Sequence, residues 1–396
     1  MNANNNRISC KMYRAHLRDR IRQGKVIAVA VGFIGTVLGY IIYPALEIKV
    51  CLVFNGVQEG NVLIKPGKCF PITASLKSAY VYQDNYFFTL KENSICVTKG
   101  GFIEHLKKEY KLLKELNKIN TKQSKKAIAA RCFYHMAKAL KRRKLWLISD
   151  RINKADDNGE ALFKYLNEKK VPENLFFVLR KDSADYETVR KYGKIIAYNS
   201  IKHKLFHLLA DAIISSAGNE YVKNPFGDGS VYYQDILNRQ KRVLLRHGVG
   251  QNNQTKWLNK FNHNFSMIVT SAIPEYESFL SWEYYYDANV IKLTGLSRHD
   301  RLFDKKKRII TIMPTWRNNL VDNAKIAYYK IDGRYRYQKK KFKETDYYCF
   351  YNSLINDKRL LQKAEEYGYT IQFMPHPNII TYINWFEKNG NAEFSG

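Results

Sequence analysis

Four short polar signatures in the second half of this chain each follow an apolar run, and each carries groups suited to phosphate chemistry. His247-Gly248 follows Val243-Leu244-Leu245, and the stretch Thr294-Gly295-Leu296-Ser297-Arg298-His299-Asp300 follows Val290-Ile291-Lys292-Leu293. Pro314-Thr315-Trp316-Arg317 follows Ile309-Ile310-Thr311-Ile312-Met313, and Pro375-His376-Pro377 follows Thr370-Ile371-Gln372-Phe373-Met374. Open α/β sheets bind ligands outside the carboxyl ends of their strands, so this repeat puts polar side chains where a ligand would lie. Imidazoles act as general bases near neutral pH, and guanidinium and hydroxyl groups grip phosphate oxygens.

Each signature has a plain reading beside the chemical one. Gly248 lets a ligand approach the backbone next to His247, or the pair is an ordinary turn. Arg298 faces a diphosphate and Asp300 holds it, or the two bridge neighbouring loops. Thr315 and Arg317 place a hydroxyl and a cation at a strand mouth, or Trp316 packs and Arg317 is solvated. His376 is the sharpest, because flanking prolines fix the backbone on both sides of one imidazole. Asp156-Asp157-Asn158 precedes a helical pattern and reads as a cap for free amides rather than a metal cluster. Zinc, EF-hand, GxxxxGK[ST] and GxGxxG spacings are not found in the sequence, so no metal or cofactor is expected.

The elements that must hold these groups are legible as strands alternating with helices every 20 to 35 residues from Lys144 onward, the pattern of a parallel doubly wound sheet. A charged stretch at 304–308 reads as a linker, after which a second α/β unit begins. Only two βα steps follow before Gly396, so the second domain is expected to be incomplete. Upstream, residues 50–101 read as a small β-rich unit with Asn-Gly, Pro-Gly and Asp-Asn turns, and 102–143 as two helices. Residues 26–43 form an unbroken apolar run behind a basic arm, long enough to cross a bilayer or to be buried. The expected division is 1–49, 50–101, 102–143, 144–305 and 306–396.

The net charge of +30 is uneven: residues 1–143 hold 26 basic and 8 acidic side chains, a net +18. A field concentrated at one end suits an anionic membrane surface or polyanionic polymer. With no RRM, KH or helix-turn-helix pattern, nucleic acid is not expected as a partner. The six cysteines lack CxxC or regular spacing, which suits a reducing compartment.

Taken together, the motifs resemble the CDP-glycerol glycerophosphotransferases, the teichoic acid and capsule polymerases of bacteria. The resemblance rests on LWLISDR…ADDNGEALFKYL, RHGVGQNNQTKWLNK, TGLSRHDRL, IMPTWR and FMPHP, in that order, and covers about Lys144 to Pro377. It implies two facing Rossmann-like domains in the GT-B arrangement, the first on the acceptor side and the second on the donor side. His247 would be the base toward the acceptor hydroxyl and His376 would contact the donor phosphate. Gly248, Arg298, Asp300, Thr315 and Arg317 would line the substrate cleft. The implied reaction moves glycerol phosphate from CDP-glycerol, or a related CDP-polyol, to a polymeric or lipid-linked acceptor, releasing CMP at the cytoplasmic face of the membrane. Two departures stand out: Arg246 precedes the His-Gly pair, and no acidic-Tyr-Ser-Ser stretch follows Pro-His-Pro. A nucleotide-sugar transferase of the same architecture, and an inactive membrane- or polymer-binding protein, stay open as alternatives.

Overall fold

The structure, a computed structural model, describes residues 45–49, 51–54, 57–61, 72–91, 94–219, 222, 224–250, 252–315, 329–331, 334–336, 342–376, 383–384, 386–387 and 393–394. The apolar run 26–43, most of the strand expected at 61–65, and Trp316, Arg317 and Pro377 lie outside these residues. Among the described residues no helix is long and apolar enough to cross a membrane. Contacts divide the chain into two compact units, Met1–Arg301 and Leu302–Gly396.

The first unit begins with β1 (Ala45–Lys49) and the hairpin β2 (Cys51–Phe54) and β3 (Val57–Asn61). Strands β4 (Tyr80–Gln83), β5 (Tyr86–Lys91) and β6 (Ser94–Lys99) join β1 in an antiparallel sheet of order β1-β6-β5-β4. The turn between β4 and β5 is Asp84-Asn85, both at positive φ (51° and 65°), the geometry that matches the twist of a two-residue hairpin. Helices α1 (Phe102–Ile119) and α2 (Lys122–Leu140) follow, separated by Asn120 in the left-handed region and a Thr121/Ser124 capping box. Leu112, Leu116 and Ala127 bury one face of this pair against Tyr80, Phe87 and Phe88 of the sheet, and against Leu208, Ile236 and Leu237 beyond it.

Seven parallel strands come next: β7 (Leu145–Ser149), β8 (Asn174–Leu179), β9 (Ile195–Ala197), β10 (Ala212–Ser215), β11 (Lys241–Leu244), β12 (Met267–Thr270) and β13 (Ile291–Leu293). Their order is β13-β12-β11-β10-β7-β8-β9. The chain therefore runs outward from β7 to β9, returns to pair β10 with β7, and builds the other half. β7, β8 and β10 are almost wholly buried, as expected of strands with both faces covered. Helix α3 (Asn158–Glu168) places Phe163 on one face among Ile148, Phe177 and Ile214. Helix α4 (Ile201–Leu209) lies at the opposite face, where Phe206 and Leu209 pack on the cluster of Leu147, Val178 and Ile213. Helix α5 (Ile273–Phe279) leads from β12 toward β13 and buries Phe279 with Leu244 and Ile268.

In the second unit β14 (Ile309–Ile312), β17 (Thr370–Phe373) and β18 (Glu393–Phe394) form a parallel sheet of order β14-β17-β18. Strands β15 (Tyr329–Ile331) and β16 (Arg334–Arg336) pair antiparallel, and helices α6 (Asp346–Ile355) and α7 (Lys358–Glu366) precede β17. Mixed α/β architecture with a parallel sheet is thus the fold of the described chain.

Candidate active site

The point where the strand order reverses lies between β7 and β10, and their carboxyl ends carry Ser149-Asp150 and Ser215-Ser216. Asp150 is buried and accepts hydrogen bonds from the amides of Gly159 (2.7 Å) and Glu160 (2.9 Å) at the start of α3, and from the Ser216 hydroxyl. Gly159 is required here: a Cβ would lie 2.5 Å from Asp150 Oδ1 and 2.6 Å from the Ser149 carbonyl. Burial pushes the Asp150 carboxyl up to about 6, partly opposed by those three hydrogen bonds.

Asp157 caps α3 by accepting the Asn158 amide (2.8 Å), as the cap reading of the sequence expects, and has a second task. Its Oδ1 also meets Arg298 Nη1 at 2.6 Å. The carboxylate that holds Arg298 is therefore Asp157. Asp300, expected in that role, lies exposed on the same one-and-a-half-turn 3₁₀ segment, Ser297–Arg301. The reason is geometric: the β13 loop folds back onto the start of α3, bringing residues 141 apart in sequence together. The same fold-back pairs Arg301 with Glu160 at 3.2 Å.

His247 follows β11 at the same carboxyl edge. Arg246 before it adopts φ +65°, and its guanidinium turns inward to pair with buried Glu275 (3.2 Å) and donate to Gln254 (2.6 Å). Arg246 is thus a structural anchor, and the unusual residue before the His-Gly pair leaves the imidazole pointing outward, exposed. Although its edge reaches solvent, His247 has crowded surroundings, and partial desolvation is the largest cause lowering its pKa below 6.5. The positive charges of Arg246, Arg151 and Arg298 add to this, while Asp157 opposes it. Such an imidazole is neutral at pH 7 and able to take a proton. A Cβ on Gly248 would meet nothing within 4 Å, so packing alone does not demand glycine there.

In the second unit Thr315 and His376 each lie three residues past the registered pair Ile312 and Phe373, at neighbouring strand ends. Both side chains are exposed, and the proline before each is buried. Arg317 lies outside the described residues. The structure thus gathers His247, Gly248 and Arg298 at one sheet edge, and Thr315 with His376 at another. The sequence reading missed Asp150, Arg151, Asn158, Ser216 and Glu275. Asp150 had a legible signal, a carboxylate directly after a buried strand; Asn158 was read only as part of a helix cap, and Glu275 had no signal.

Among the described residues no group of three His, Cys, Asp or Glu side chains is placed to hold a metal ion. Cys96, Cys132 and Cys349 are free thiols.

Residues 128–395 match the family described as CDP-Glycerol:Poly(glycerophosphate) glycerophosphotransferase. The chain belongs to this family. A curated relative, the minor teichoic acid biosynthesis protein GgaB of Bacillus subtilis (strain 168), is 37% identical over 334 residues. That alignment takes in 82% of this chain and 36% of GgaB, so the chain spans about a third of that relative's length. Among solved structures, the wall teichoic acid polymerase TagF aligns over 74% of this chain and 71% of its own, at TM-score 0.42 and 14% identity. HepE of Anabaena in complex with UDP-glucose aligns over 64% and 68%, at TM-score 0.34 and 10% identity.

Proposed function

We propose that this glycerophosphotransferase-family protein moves glycerol phosphate from CDP-glycerol, or a related CDP-polyol, to a hydroxyl of a polymeric or lipid-linked acceptor. The observation that carries the reading is His247, held neutral and outward at the carboxyl edge of a parallel sheet, with Arg298 and Arg151 close enough to lower its pKa. His247 takes the proton of the acceptor hydroxyl as the oxygen attacks the glycerol-bearing phosphorus. An O–P bond forms, the bond to the bridging oxygen breaks, and CMP leaves with the electron pair. Arginine side chains offset the charge that gathers on the phosphoryl oxygens.

Assignment of the first unit to the acceptor has a physical basis. In Rossmann-type sheets a diphosphate binds the free amides at the start of the helix after the first strand. Here those amides are occupied by the carboxylates of Asp150 and Asp157. A nucleotide diphosphate would be repelled from that position. The donor is accordingly assigned to the second unit, to Thr315, Arg317 and His376, in a GT-B arrangement with domains 144–305 and 306–396. Asp300 is kept as a residue of the acceptor side.

The same reading places the protein at the cytoplasmic face of the membrane. Helix α1 exposes Phe102, Ile103, Leu106 and Tyr110, and α2 exposes Phe133, Met136 and Leu140, each set at helical spacing beside lysines. Apolar stripes framed by cations suit the surface of an anionic bilayer.

The test is CMP release by the purified full chain given CDP-glycerol and a lipid-linked or polymeric acceptor. His247→Ala should slow it by roughly 10²–10⁴-fold, the range typical of a lost general base. Equal rates for wild type and variant, or turnover of UDP-sugars in place of CDP-glycerol, would overturn the assignment.

A further inference from the structure

Asn158 is fully buried and joins three segments that are distant in the sequence. Its Nδ2 donates to the Arg246 carbonyl (2.8 Å), and its Oδ1 accepts the Arg298 amide (3.0 Å). Its own carbonyl accepts the Ser297 hydroxyl at 2.8 Å. One carboxamide therefore touches the backbone just before His247 and the backbone of Arg298 itself. Only a side chain with both a donor and an acceptor can do this: aspartate lacks the donor, and leucine lacks both.

The backbone it holds is a demanding one. Arg246 sits in the left-handed region, which residues with a Cβ rarely adopt, and His247 directly after it is exposed. Asn158 fixes the Arg246 carbonyl, while Glu275 and Gln254 fix the guanidinium. Asn158 is itself immobilised from below. Its amide is capped by Asp157, and the next residue, Gly159, is wedged against Asp150 and Ser149 with no room for a Cβ.

We propose that Asn158 is the positioning residue of the acceptor-side edge, setting the relative aim of His247 and Arg298. It acts through those two groups. The inference rests on the reading of His247 as the base toward the acceptor. Because the contacts run to backbone atoms, the dependence is on geometry: a displacement of about 1 Å at a reacting group can cost on the order of 100-fold in rate.

The experiment uses the full chain carrying Asn158→Ala, with Asn158→Asp as a size-matched partner that lacks the donor. Steady-state CMP release from CDP-glycerol gives kcat and KM, and NMR of labelled histidines gives the His247 titration midpoint, assigned by its loss in His247→Gln. Expected for Asn158→Ala is a kcat lower by roughly 30- to 100-fold, a donor KM within about twofold, and a moved His247 midpoint. Asn158→Asp should not restore kcat. A folded Asn158→Ala protein with kcat within about threefold of wild type and an unmoved midpoint overturns the proposal. Should both Asn158 variants fail to fold, Ser297→Ala carries the test. It frees only the Asn158 carbonyl, and a smaller kcat loss at constant KM supports the proposal while no change overturns it. If wild type releases no CMP, the transferase reading fails, and the NMR midpoint still decides whether Asn158 positions His247.

Discussion

In the proposed reaction His247 serves as a base only while its imidazole is neutral, so its surroundings would set the pH range of that reaction. Partial burial and the charge of Arg246 lower its pKa below 6.5, so the acid limb of kcat/KM should have its midpoint below pH 6.5. Rate is lost as pH falls through that midpoint, because the protonated ring cannot accept the acceptor's proton. Asp150, at about 6, titrates in the same window, and the two are separable by mutation. Arg151 is among the charges that depress His247, whereas the leading causes of the Asp150 shift are its burial, its hydrogen bonds from Ser216, Glu160 and Gly159, and the charge of Asp157. Arg151→Gln should therefore move the limb toward higher pH if His247 is responsible. A pH–rate profile of the two proteins checks this, and a limb that stays in place would assign it to another group.

Among the elements, the helix pair α1–α2 depends on one buried charge. Arg131 is enclosed between Glu109 (2.6 Å and 2.8 Å), Asp235 (2.8 Å and 2.9 Å) and the Tyr232 carbonyl (2.9 Å). Burial alone would raise the Glu109 carboxyl, but hydrogen bonds from Arg131 and Tyr80, with His135 Nε2 3.2 Å away, outweigh it and hold it well below the usual range. A depressed carboxylate stabilises the fold above its unfolded pKa, 4.5, and that contribution is lost as pH falls toward the folded value. Arg131→Met should cost about 3–5 kcal/mol in urea unfolding, since two carboxylates are left without their cation. The triple variant Glu109→Gln, Arg131→Met, Asp235→Asn should recover much of the loss, and failure to recover would mean that packing of the arginine stem dominates. This residue also shows where the sequence falls silent. Among so many lysines Arg131 reads as one more solvated cation, because nothing local says that Asp235, 104 positions away, will cover it. What is local was legible: the Asp84-Asn85 turn, the cap at Asp157, the two helices over 102–143, and the apolar strand runs from 145 onward. Which strand ends become neighbours depends on strand order, and periodicity does not encode it. The Arg298–Asp157 pair and the Asn158 contacts follow from that order, which is why Asp300 looked the better partner.

At the scale of the whole molecule, the uneven charge and the exposed stripes make one joint claim. Cations alone would give a purely salt-dependent attraction to any polyanion, each lysine near a charged bilayer contributing about 1 kcal/mol. Apolar side chains alone would bind neutral and anionic lipid alike. Leu106 and Met136 are both exposed, on helices that also carry Lys107, Lys108, Lys111, Lys114, Lys125 and Lys126. Binding should therefore need both terms. The full chain should sediment with vesicles containing anionic lipid at about 0.1 M salt, and much less at about 0.5 M, where the screening length falls below about 5 Å. Leu106→Asp with Met136→Asp should weaken binding at either salt, by roughly tenfold or more, since two buried side chains are each worth about 1.5 kcal/mol or more. Neither position faces the core of the helix pair, so the melting temperature should hold. Equal binding to neutral vesicles would remove the electrostatic half of the claim. A double variant that binds as wild type would remove α1 and α2 from the contact, leaving the attraction to other parts of a chain whose charge is +30.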